Sequence, residues 1–123
     1  MRLEKLKYDL SIVKVSDIKD FDFSKEFYFV AKTDEEISIV AKTKDVPDAY
    51  KREDGYKALR VVGELDFNLI GILAEITGTL AENGIPVFAM STFNTDYILI
   101  KKEFFEKAVS ALKRRAYDID GKE

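Results

Sequence analysis

Hydrophobic positions along the chain switch between two spacings. Residues 6–15 (LKYDLSIVKV) mix apolar and polar positions with β-branched enrichment and predict a strand. Residues 16–24, with Asp17, Asp20 and Asp22, read as a loop. Two short strands follow, 26–32 (EFYFVAK) and 37–42 (ISIVAK), folded into a hairpin around Thr33-Asp34-Glu35-Glu36. Pro47 cannot donate to a ladder, so the first block ends at Asp45-Val46-Pro47-Asp48.

The second block opens with 56–65 (YKALRVVGEL), a strand by its Val-Val centre and its start after Asp54-Gly55. From 69 to 83 the apolar residues are Leu69, Ile72, Leu73, Ile76 and Leu80, the spacing of a helix. Asn83-Gly84 stops it, and Asp66 or Asn68 is placed to cap its start. Gly71 and Gly78 each cost about 1 kcal/mol relative to Ala inside a helix, so they point to close backbone approach. Residues 85–93 (IPVFAMSTF) form the next strand, Asn94-Thr95 turns the chain, and 97–101 (YILIK) returns antiparallel. Phe104, Phe105, Ala108, Val109 and Leu112 share one face of a second helix over 103–116. The polar tail 118–123 is expected to fray.

The order β-α-β-β-α is ferredoxin-like without its last strand, and the three preceding strands offer to extend or complete the sheet. The fold class is therefore α+β, one antiparallel sheet with two helices on one face. The chain reads as a single domain: an N-terminal β extension over 1–47 and the βαββα motif over 56–116. Phe27, Tyr28, Phe29 and Phe88 are too many aromatics to leave wet on the other face of the sheet. A second copy is the simplest cover, so a homodimer is expected.

Composition narrows the chemistry. The chain of 123 residues has no His and no Cys, which removes the commonest general base, thiolate chemistry, disulfides and zinc-cysteine sites. No catalytic residue is nominated and no enzyme is expected. Glu35-Glu36 and Asp45 with Asp48 read as solvated turn charges, so neither a metal nor a cofactor is expected. The net charge of −3 does not favour a nucleic-acid partner. RNA recognition through strand aromatics lacks its basic, aromatic pattern here, and acylphosphatase-type hydrolysis lacks a glycine-rich anion loop beside Arg60. Lys113-Arg114-Arg115 complements a helix C-terminus. No apolar run approaches the ~20 residues of a membrane span, so no membrane partner and a cytoplasmic location are expected.

The run VVGELDFNLIGILAEITGTLAENGIPVFAMSTFNTDYILIKKE resembles ACT domains, ferredoxin-like regulatory modules that bind amino acids. More narrowly it resembles the subgroup of small stand-alone bacterial ACT proteins and the CASTOR-type arginine sensors; the hairpin EFYFVAKTDEEISIVAKT fits that subgroup too. The resemblance implies a ligand at the loop Asp66-Phe67-Asn68-Leu69-Ile70-Gly71, with further contacts from Ser38, Ile39, Thr92 and Asp96. In the arginine-sensing relatives the ligand is shared by two ACT units. One unit here implies a site completed by a second subunit, and regulation of a protein target in trans.

The chemistry is consistent with that carry-over. An amino-acid carboxylate suits backbone N–H groups at a helix start, including those of Gly71 and Ile72, while Asp66 or Asp96 suits an ammonium. Each stretch also has a plain structural use. Asp66 and Asn68 are ordinary caps, and Asn94-Thr95-Asp96 is ordinary turn chemistry. The alternative function is a ligand-free ACT-like dimerisation scaffold.

Overall fold

The computed structural model describes residues 1–48, 51–62 and 71–121. In chain order the strands and helices are β1 (Arg2–Lys5), β2 (Leu10–Val15), β3 (Tyr28–Lys32), β4 (Ile37–Lys42), β5 (Arg52–Val61), α1 (Ile72–Glu82), β6 (Phe88–Ser91), β7 (Asp96–Lys101), α2 (Lys102–Arg114) and β8 (Asp118–Gly121). Two compact units divide the chain: residues 1–8 with 57–123, and residues 9–56.

In the first unit the strands lie in the order β6, β7, β5, β1, β8. β1 is antiparallel to β5, pairing Glu4 with Arg60, and parallel to β8, pairing Glu4 with Asp120. Alternation sends Leu3, Leu59, Val61, Ile98 and Ile100 to one face of the sheet. There they meet Ile76 and Leu80 of α1 and Phe105, Ala108, Val109 and Leu112 of α2 in a single core. Both helices therefore cover the same face. Each fully buried side chain of this size contributes about 1.5–3 kcal/mol, which is what fixes the register.

The expected fraying tail is instead a strand. β8 supplies the last strand of the ferredoxin-like motif, and Ile119 packs against the core. Its sequence DIDG is too polar and too short to announce a strand; parallel pairing with β1 provides the ladder. β1 was likewise not expected. Of the strand predicted over 6–15, only Leu10–Val15 is strand, as β2, while β1 lies wholly ahead of the predicted range.

The helix predicted from 69 starts at Ile72, with Gly71 as its N-cap at φ 80°. The cap position is thus not Asp66 or Asn68, which lie outside the described residues. Gly71 is required by its left-handed backbone rather than by a neighbour: neither it nor Gly78 has a described atom within 4 Å of where a Cβ would stand. At the far end of α2, Ala116 adopts φ 67°, and the N–H groups of Ala116 and Tyr117 close the helix on Lys113 and Leu112. Arg114 and Arg115 reach across to Asn83 and Glu82 of the α1 end, so two of the three clustered basic residues tie the helices together.

The second unit is built on β3, β4, β2 and the 52–56 half of β5, each antiparallel to its neighbour. Val13, Val15, Phe21, Ile39 and Ala41 form its core, with Tyr28, Val30, Ile37 and Val46 packed against them. The aromatics largely find each other. Phe21 stands edge-on to Phe23 and Tyr28, the Tyr28 hydroxyl donates to the Phe23 carbonyl, and Phe27 packs edge-on to Phe29. Ser11, fully buried, donates to Asp54 Oδ1 at 2.5 Å and lies 2.9 Å from the Thr43 hydroxyl.

Candidate functional site

The turn between β6 and β7 gathers three of the candidate residues. The N–H of Thr92 donates to the Thr95 carbonyl at 2.8 Å, leaving Phe93 and Asn94 at the tip, one residue earlier than the pattern suggested. The Thr92 hydroxyl backs this up, donating to the Thr95 carbonyl at 3.2 Å and accepting from the Thr95 N–H at 3.3 Å. Ser91 and Asp96 face each other across the ladder, and Ser91 Oγ donates to Asp96 Oδ1 at 2.5 Å. Asp96 is half-buried, so one carboxylate oxygen is held while the group keeps a route to solvent.

Thr95 anchors this turn. It is buried, and its hydroxyl donates to the Val61 carbonyl at 2.8 Å. The turn is thus fixed against Val61, the last residue of β5. By sequence Thr95 reads as turn chemistry only; the signal for its anchoring role is a β-branched hydroxyl at the junction of a turn and a buried strand.

Asp66, Phe67, Asn68, Leu69 and Ile70 lie outside the described residues. The chain resumes at Gly71, whose carbonyl accepts from the Glu75 N–H at 2.8 Å as the first helical bond. The N–H groups of Ile72 and its successors in the first turn of α1 precede that ladder and point back along the axis. Among the described residues no atom lies within 4 Å of where a Cβ on Gly71 would stand.

Ser38 and Ile39 belong to the second unit. Both lie on β4, which is paired on both sides by β2 and β3. Ser38 Oγ donates to Glu36 Oε1 at 2.9 Å. Ile39 is fully buried in that unit's core, so its side chain is committed to packing. Among the described residues no cluster of acidic side chains is arranged to hold a metal. Among them, too, no helix is long and apolar enough to cross a membrane.

Comparison with known proteins agrees with this architecture. Residues 51–114 match the family model of the ACT domain. Over 61 residues the chain is 34% identical to the cytosolic arginine sensor for mTORC1 subunit 1 of Homo sapiens, a match covering 49% of this chain and 18% of that protein. The chain thus spans less than a fifth of the length of the curated relatives it matches. Among solved structures, protein Atu0741 of Agrobacterium tumefaciens superposes with a TM-score of 0.86 at 24% identity, over 99% of this chain and 93% of that one. A structure of aspartokinase alpha and beta subunits superposes with a TM-score of 0.65 at 16% identity, over 93% of this chain and 96% of that one. At those identities the two structural likenesses are likenesses of fold.

Proposed function

Because the chain belongs to the ACT domain family, a family of regulatory modules, we propose that it senses an amino acid and acts on a separate protein in trans. The observation that carries this reading is the Thr95–Val61 hydrogen bond, which fixes the turn preceding Asp96 against the last residue of β5. In the proposed site Asp96 receives the ligand ammonium, or a cationic side chain, through a charge-assisted hydrogen bond. Thr92 and Asn94 frame that contact. The N–H groups at the start of α1 receive the carboxylate, and residues 66–70, outside the described residues, belong to the same proposed site. Arginine heads the ligand panel, since that is the ligand in the name of the human relative.

A second subunit completes the site in this proposal. β6 pairs only with β7 among the described strands, and it carries Phe88 at 38% exposure, with Phe93 at 77% on the adjoining turn. An edge strand with apolar side chains invites pairing with a second copy. The same edge favours the second reading, a ligand-free dimerisation scaffold. Calorimetric titration of the folded chain with each common amino acid separates the two. Saturable binding supports the sensor, and uniformly flat titrations of a folded dimer support the scaffold.

A further inference from the structure

Among the asparagines of the chain, Asn68, Asn83 and Asn94, only Asn83 is followed by glycine. A side-chain amide at such a position is open to attack by the backbone nitrogen of the next residue, and glycine, with no Cβ, hinders that attack least. In the reaction the Gly84 nitrogen bonds to Asn83 Cγ and gives up its proton. The Cγ–Nδ2 bond breaks, and the leaving nitrogen takes that proton to depart as ammonia. Water then opens the five-membered ring, leaving aspartate or its isomer with the backbone routed through the side chain. Water is the only co-reactant, and no electrons are gained or lost.

The end of α1 closes this route. The N–H of Ile85 donates to the Leu80 carbonyl and that of Gly84 to the Ala81 carbonyl, both at 3.0 Å, around a left-handed Gly84 at φ 71°. This is a Schellman cap, and it engages the attacking nitrogen. The side-chain amide is engaged as well. Asn83 Nδ2 donates to the Thr79 carbonyl at 2.8 Å, and Oδ1 accepts from Arg114 Nη2 at 3.4 Å. Leu80 and Ile85, joined by the outer bond of the cap, are both buried in the core of the first unit. Ring closure therefore has to break the cap and the amide's bond to Thr79 together.

We propose that Asn83 is a modification site for spontaneous deamidation, held shut by this cap and opened by local fraying of the last turn of α1. Helix ends open at lower free energy than the whole fold, and a reaction of the open form follows its population. Gly84 is exposed, so water reaches the turn once it opens. Conversion replaces the donor to the Thr79 carbonyl by a carboxylate. It also sets a negative charge at a helix C-terminus, where the dipole disfavours one. A converted cap thus closes less well than the original.

The test incubates the full chain at mildly alkaline pH, folded and in guanidinium chloride, and follows Asn83 by peptide mass spectrometry. Conversion is expected to be at least about tenfold faster in the unfolded chain. Two variants locate the gate. Ile85→Val trims the buried residue of the cap and is expected to speed conversion of the folded chain about two- to tenfold. Ile98→Val loses the same group from the same core but on β7, and is expected to convert at the wild-type rate. Circular dichroism checks that both variants fold, and in guanidinium chloride all three chains should react alike. Equal rates for the folded and unfolded wild type, no conversion of Asn83 in the unfolded chain, or equal acceleration in the two variants overturns the proposal.

Discussion

Thr95 and Val61, 34 positions apart, are joined by a buried hydrogen bond of 2.8 Å from the threonine hydroxyl to the valine carbonyl. It couples the β6–β7 turn to the end of β5 and so sets where Asp96 is held. Replacing the hydroxyl by a methyl keeps the shape and leaves the carbonyl without this donor. Thr95→Val is expected to destabilise the fold by about 1–3 kcal/mol. Thr95→Ser retains the bond and loses only the buried methyl. Urea unfolding of the three proteins checks the order: wild type, then Ser, then Val.

Two backbone positions predict shifts of opposite sign. Gly71 at φ 80° and Ala116 at φ 67° both occupy the left-handed region, but only one is a glycine. Gly71→Ala is expected to cost about 1–2 kcal/mol, and Ala116→Gly to stabilise by about 1 kcal/mol. Thermal unfolding should place the two melting temperatures on either side of the wild type.

Tyr117 gives the fold a pH dependence on the alkaline side. Burial, and then the hydrogen bond from its hydroxyl to the Glu75 carboxylate, raise the phenol above the ordinary tyrosine range. The folded chain therefore keeps a proton that the unfolded chain releases. The contribution is complete below about pH 10, the ordinary tyrosine value, and is lost as the pH rises above it. Urea titrations at increasing pH should fall more steeply for the wild type than for Tyr117→Phe.

Phe88 tests the proposed dimer. A charge placed on the edge strand β6 opposes its pairing with a second copy. Phe88→Asp is expected to sediment as a monomer while keeping the wild-type circular dichroism spectrum. A wild-type monomer under the same conditions removes the shared-site geometry.

Much of the architecture was legible because burial imposes a period. α2 runs from Lys102 to Arg114 as its Phe105, Ala108, Val109, Leu112 spacing requires, and α1 and β7 follow the same logic. The strands that escaped notice, β1 and β8, are each four residues long and stabilised by pairing partners distant in sequence, which a local pattern does not carry. In the candidate site, the turn chemistry of Thr92, Asn94 and Asp96 could be read directly. Thr95 could not, because its function depends on Val61. Ile39 stands where the resemblance implies a ligand contact, and its side chain is buried, as are those of Val40 and Ala41 beside it on a strand paired on both sides.

The most direct measurement compares wild type and Asp96→Ala in calorimetric titrations with the common amino acids, with arginine first. Saturable binding of at least one amino acid by the wild type is expected, and its loss in Asp96→Ala while the circular dichroism spectrum stays that of the folded chain. Flat titrations of a folded wild-type dimer, or unaltered affinity in Asp96→Ala, contradict it.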